Sequence, residues 1–187
     1  MTDQEAPVYR STPTEGYEWL LPEDDGDFET FLALAGHPQS AWRPPAMKLL
    51  KVADDGRPLR PAGMPWLGSH VLILRDRAVD SIGPILEPHG QLLPLACTEA
   101  RLVVFDAQVL PGVLDEERSE LVRFGSGRIM KLKVPVFRSA YPEGAGAFKV
   151  AEMPRGPILL TRNLVRAIED TGDSAGTSFV AADQAGG

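Results

Sequence analysis

Met64 to Leu95, MPWLGSHVLILRDRAVDSIGPILEPHGQLLPL, decides the fold of this chain. His70 to Leu74 is an apolar, strand-forming run that leads into Asp76, a residue suited to capping a helix. Ala78, Val79, Ile82, Ile85 and Leu86 then fall on one helical face. Gly83-Pro84 lies inside that helix, and proline removes a hydrogen bond and clashes with the preceding turn, so the helix is predicted to split or kink there. Gln91 to Leu95 reads as the next strand. Strand, helix and strand therefore sit within 32 residues, yet no catalytic group stands among them in a productive arrangement.

Working outward, Arg101 to Val109, with its apolar Leu102-Val103-Val104-Phe105, is expected to neighbour the Gln91 to Leu95 strand. On the N-terminal side, Trp42-Arg43-Pro44-Pro45 must be extended, because a residue before proline is pushed out of the helical region. Met47 to Ala53 and Tyr17 to Leu21 read as strands. Phe28, Phe31, Leu32 and Leu34 are spaced for a short helix ended by Gly36. On the C-terminal side, LDEERSEL suggests a helical turn, and Gly125-Ser126-Gly127 a hairpin turn into Arg128 to Arg138. In that segment Lys131 and Lys133 are predicted on one face, with Leu132, Val134 and Val136 on the other. Ala147 to Ala151, Pro157 to Thr161 and Thr177 to Ala181 read as strands, and Thr161 as the cap of a helix carrying Leu164, Val165 and Ile168.

Strands predominate and helices do not alternate with them regularly. The expectation is a single α+β domain over residues 16–181, with a mainly antiparallel sheet and a few short helices packed on it. Residues 1–15, rich in Pro, Thr and Glu, are expected to form a flexible arm, and residues 182–187 a frayed tail. At 187 residues, 43% hydrophobic and 24% charged, the chain is suited to one well-cored domain.

Charge is unevenly distributed. Residues 1–121 hold 10 Lys/Arg against 20 Asp/Glu, and residues 122–187 hold 9 against 6, so the first part carries −10 and the last +3. That is opposite to the footprint of a general nucleic-acid binder and favours a basic partner. The densest acidic runs are Glu23, Asp24, Asp25, Asp27 and Glu29, and Asp115, Glu116 and Glu117. Each is explained most simply as a solvated loop or helix start; the functional alternative is a surface for that basic partner. Trp42 and Trp66 adjoin apolar residues and read as core, whereas Trp19, beside the first run, suits a core position or an interface anchor equally. No apolar run is long enough to cross a bilayer, no export signal is evident, and Cys97 is the single cysteine, so a cytoplasmic home is expected.

Catalytic constellations are weak. His37, His70 and His89 show no HxH or HExxH spacing for a metal. Nothing beside Cys97 supplies a base, so a buried structural cysteine is expected, and no GxSxG occurs. No catalytic residue, metal or cofactor is therefore assigned. The competing enzyme hypothesis needs a pocket built from His70, His89 and nearby carboxylates; a third possibility is a scaffolding or adaptor subunit.

One further signal is the order of motifs: W-x-P at Trp42 to Pro44, VLILRDRAVDSIGPILE, GQLLPL at Gly90 to Leu95, Leu114-Asp115 with Ser119, Phe148-Lys149, and a closing helix followed by Gly176 and Phe179. This order resembles the eleventh immunity-protein family of bacterial polymorphic toxin systems, across residues 42–181. The chain departs from that pattern at Arg75-Asp76, where similar proteins have a capping serine, and at Gln91, where they have an acid. The resemblance implies a cytoplasmic antitoxin that is not an enzyme, binds neither nucleic acid nor membrane, and neutralises a cognate toxin domain by direct contact. Trp19, Glu23, Asp24, Asp25, Asp27, Glu29, Asp115, Glu116 and Glu117 are the expected contacts with the basic surface of that toxin.

Overall fold

The computed structural model describes residues 7–138 and 145–183. In chain order its first half runs β1 (Val8–Pro13), β2 (Trp19–Pro22), α1 (Phe28–Leu32), β3 (Met47–Leu50), β4 (Leu72–Arg75), α2 (Arg77–Ser81), α3 (Gly83–Leu86) and β5 (Gly90–Leu95). The second half runs β6 (Leu102–Ala107), β7 (Val109–Leu110), β8 (Glu120–Arg123), β9 (Ile129–Val134), β10 (Ala147–Val150), β11 (Leu159–Thr161), α4 (Arg162–Asp170) and β12 (Thr177–Ala181). This is an α+β fold. Its sheets are antiparallel except where β10 runs parallel to β7.

The three-stranded sheet β4-β6-β5 lies at the centre. Leu72, Leu74 and Phe105 project to one side, where they meet Ile82 and Leu86 of the α2–α3 pair and Leu164, Val165 and Ile168 of α4. Ile73, Leu93, Leu95, Leu102 and Val104 project to the other, against Leu20, Phe31, Leu34, Met47 and Leu49. Both faces are thus covered, which is why VLIL is continuously apolar where a half-exposed strand would alternate. Each such side chain contributes about 1.5–3 kcal/mol by leaving water. A third cluster, centred on Phe148, Leu159 and Phe137, lies under the β8–β9 hairpin, with the Phe137 and Phe148 rings edge to face at 5.9 Å.

Local signals behave as their chemistry requires. The helix breaks between α2 and α3 at Gly83-Pro84. Thr161 Oγ1 accepts from the Leu164 amide at 3.4 Å, capping α4, whose Leu164, Val165 and Ile168 are buried. At Gly125 to Gly127 the turn closes through Gly127 N–H to the Phe124 carbonyl at 2.9 Å, with Gly127 at φ +84°.

Four expectations are corrected. Val8–Pro13, expected in a flexible arm, is an inner strand of the five-stranded sheet β12-β1-β11-β10-β7. At the expected tail, Ala182 is buried and its amide donates to the Val8 carbonyl at 2.9 Å; residues 1–6 and 184–187 lie outside the described residues. Along β9 the alternation is interrupted by two register shifts that leave Met130 and Lys133 with no residue opposite them in the backbone register. Ile129 and Leu132 are therefore buried three residues apart, and Lys131 is half-buried. Asp76 does precede α2, but its side chain makes no capping bond to the helix. Its Oδ1 accepts instead from the Arg101 amide at 2.9 Å, and its backbone sits at φ +47°.

Candidate functional site

β2 and β3 form a two-stranded ribbon whose register sets Leu20 opposite Leu49 and Trp19 opposite Leu50. Because paired residues share a face, Leu20 and Leu49 enter the core while Trp19 and Leu50 point outward. Trp19 remains 39% exposed and Leu50 36%, and Val52, just beyond β3, is also exposed. Beside them lies a groove of about 520 Å³ whose walls include Tyr17, Trp19, Leu50, Pro58 and Leu59. The ribbon is braced from behind: buried Glu18 pairs with Arg75 and accepts from the Ala62 amide at 3.3 Å, and the Leu20 amide donates to the Trp66 carbonyl at 2.8 Å. Trp19 is thus presented by a rigid element.

The first acidic run follows directly from β2. Glu23, Asp24, Asp25 and Glu29 are exposed and Asp27 is half-buried. Asp24 also has a structural duty, its Oδ1 accepting from the Gly26 amide at 2.8 Å to start a 3-10 turn into α1. The second run is committed locally. Asp115 Oδ1 accepts from the Arg118 amide at 3.2 Å and Glu116 pairs with Arg123 at 2.7 Å, leaving Glu117 exposed with no ion pair among the described residues. LDEERSEL makes one turn, closed by Ser119 N–H to the Asp115 carbonyl at 3.0 Å. The ribbon with Glu23 to Glu29 therefore carries the aromatic and acidic groups together, and the Asp115 segment is associated with a different core cluster, under β8–β9.

A second polar centre lies in the interior. Lys149 and Asp106 are both fully buried, with Lys149 Nζ 3.0 Å from Asp106 Oδ1 and donating to the Leu34 carbonyl at 2.9 Å. Asp106 Oδ2 accepts from the Gly36 amide at 2.9 Å and from Gln91 Nε2 at 3.0 Å. Gln91 also donates to the His37 carbonyl at 2.7 Å and accepts from the Gln39 amide at 3.1 Å. Strand alternation puts Lys149 there: Phe148 and Val150 take the hairpin-side cluster, so Ala147 and Lys149 must face the opposite way. The network holds the Leu34 to Gln39 segment, and so the C-terminal end of the acidic helix region, onto the central sheet. Burial lowers the Lys149 pKa from its usual value, opposed by the charge and hydrogen bond of Asp106.

His70 lies within the field of this pair. Its pKa falls from 6.5 to about 4, first through burial and then through the Lys149 charge, with Asp106 acting in the opposite sense. Its Nε2 is buried without a hydrogen-bond partner among the described residues. His89 has other contacts, its Nδ1 accepting from the Gly146 amide at 3.3 Å. Neither histidine lines the groove beside Trp19 or the one beside Trp42. Cys97, expected to be buried, is only half-buried. Trp42 packs against the core with its indole N–H donating to the Pro94 carbonyl at 2.8 Å, and Trp66 is half-buried.

Sequence reasoning missed the interior network. Gln91 and Lys149 enter it only as letters of two separate motifs, and the sole hint of their meeting is a lysine inside the apolar AFKV strand and an aspartate ending LVVFD. No helix among the described residues is long and apolar enough to cross a membrane. No protein-family model matches the chain, and no curated protein matches it.

Proposed function

We propose that this chain is an immunity protein that occludes a bacterial toxin domain by direct contact, using the outward face of the β2–β3 ribbon and the acidic run that follows it. The observation that carries this is the coincidence of Trp19 and Leu50, exposed and paired on one rigid face, with Glu23, Asp24, Asp25 and Glu29 exposed beyond the end of the same strand. An aromatic anchor with a charged rim is the arrangement by which interfaces combine affinity with fast, selective association. The overall charge of −7 adds a long-range pull on a basic partner. The resemblance of the motif order to that of the immunity-protein family supports the same reading, and a cytoplasmic location follows from it.

The test is co-expression with the toxin domain encoded in the neighbouring open reading frame. The unmodified chain should protect the cell and co-purify with that domain. Reversing Glu23, Asp24, Asp25 and Glu29 to lysine should slow association at least tenfold at low salt and flatten its salt dependence. Unchanged affinity and salt dependence would reject this surface, and absence of protection by the unmodified chain would reject the function.

A further inference from the structure

We infer that the groove beside Trp19 receives an arginine side chain of the protein partner, an assignment that rests on the binding role proposed above and names the chemistry of what is bound. The walls are apolar, formed by Tyr17, Trp19, Leu50, Pro58 and Leu59, and suit the methylene stem of a long side chain. Two exposed carboxylates, Glu15 and Asp54, also line it, and neither has an ion pair among the described residues. The one cation on the lining, Arg57, is already matched by Asp55 at 2.6 Å. The groove is therefore apolar within, and its margin carries two carboxylates against one guanidinium, that of Arg60, which donates to the Glu15 carbonyl at 3.5 Å. A side chain with an apolar stem and a cationic head complements both parts at once.

Arginine is favoured over lysine by the aromatic wall, since a planar guanidinium stacks on an indole or phenol ring while still donating in its plane to carboxylates. The chain already makes this contact on its own account: the Arg60 guanidinium lies 4.0 Å from the centroid of the Tyr17 ring, next to the groove. Tyr17 is thereby occupied, and Trp19, 39% exposed as a residue, is left to take an incoming guanidinium. An exposed ring held on a braced ribbon needs no rearrangement for this.

The experiment uses the intact chain and small probes, N-acetyl-arginine methylamide and its neutral isostere, the citrulline derivative. The Trp19 indole N–H resonance, assigned through Trp19→Phe, is followed by NMR during titration. A saturable shift with the arginine probe, at least fivefold weaker with citrulline and similarly weakened by Glu15→Gln/Asp54→Asn, is expected. Equal response to the two probes, or none at Trp19, overturns the assignment. So does concentration-dependent broadening of Trp19 without probe, which would make a second copy of the chain the occupant. Cell protection is scored separately: protection without arginine selectivity sinks only the groove assignment, and selectivity without protection sinks only the antitoxin role.

Discussion

Asp106→Ala removes the one carboxylate that, among the described residues, pairs with Lys149 Nζ, and the cost can be worked from the geometry. At 3.0 Å the pair attracts by about 5 kcal/mol with an effective dielectric constant of about 20. Desolvation of both groups offsets much of that, so the pair is close to neutral as a unit, but breaking it leaves a charged ammonium with no exposure to water. The expected loss is about 3–5 kcal/mol, to which the stranded Gly36 amide and Gln91 amide group add. For a domain of this size that is a fall in melting temperature of roughly 6–20 °C. Lys149→Met should cost a similar amount by stranding Asp106. The decisive comparison is Asp106→Ala/Lys149→Met: with both charges gone, the double variant should be at least 2 kcal/mol more stable than the sum of the single losses predicts. Urea denaturation monitored by circular dichroism, with the slope of each transition checked for constancy, measures all four species. Single losses below about 1 kcal/mol, or losses that add to within about 0.5 kcal/mol, would show that the pair is not the closed, water-free unit described.

Three other outcomes follow from the same structure. His70 is a base whose folded pKa, about 4, lies below its unfolded value of 6.5, so the unfolded chain binds the extra proton between them and stability must fall as pH drops through that window. The fall attributable to His70 is about 3 kcal/mol and should shrink in His70→Gln; in Lys149→Met, NMR titration should find the His70 pKa raised, because the Lys149 charge lowers it. Gly36→Ala should destabilise by about 2 kcal/mol or more in thermal melts: Gly36 sits at φ +74°, and a Cβ there would lie 2.8 Å from the Val109 nitrogen and 2.9 Å from the Ala107 carbonyl oxygen. Asp76→Asn keeps the acceptor for the Arg101 amide and should be nearly neutral, whereas Asp76→Ala keeps the unfavourable backbone, loses that bond and should cost about 1–3 kcal/mol in the same assay.

The pattern of side chains was legible wherever burial alone decides structure. VLIL is apolar throughout and proves to be buried on both faces; Gly83-Pro84 divides a helix; Thr161 caps one. It was illegible where pairing partners lie far away in the chain. Val8–Pro13 carries Arg10, Ser11, Thr12 and Pro13, too polar to announce an inner strand, yet its backbone is taken up on both edges by β11 and β12. Local patterning also could not show that Met130 and Lys133 are bulged out of β9, since a bulge depends on the partner strand. Of the candidate surface, the acids were identifiable from their density, and Trp19 from its position beside them. That Trp19 faces outward while Trp42 and Trp66 are tucked against the body depends on the β2–β3 register, which a single sequence does not display. The Asp106–Lys149 pair was hidden for the same reason: its members are 43 residues apart and each sits in an apolar strand.

The position of β1 has a consequence for how the molecule is made. Val8–Pro13 is made before every other described strand, but both of its neighbours, β11 and β12, come from beyond residue 158. Until those are synthesised, the earliest strand has unsatisfied edges and the five-stranded sheet cannot close. That sheet therefore closes only after residue 181 has been made, with a large loop-closure cost before any reward. A newborn chain stalled short of residue 159 should be trapped by proteases or chaperones, whereas β4, β5 and β6, contiguous between residues 72 and 107, can assemble while synthesis is still under way.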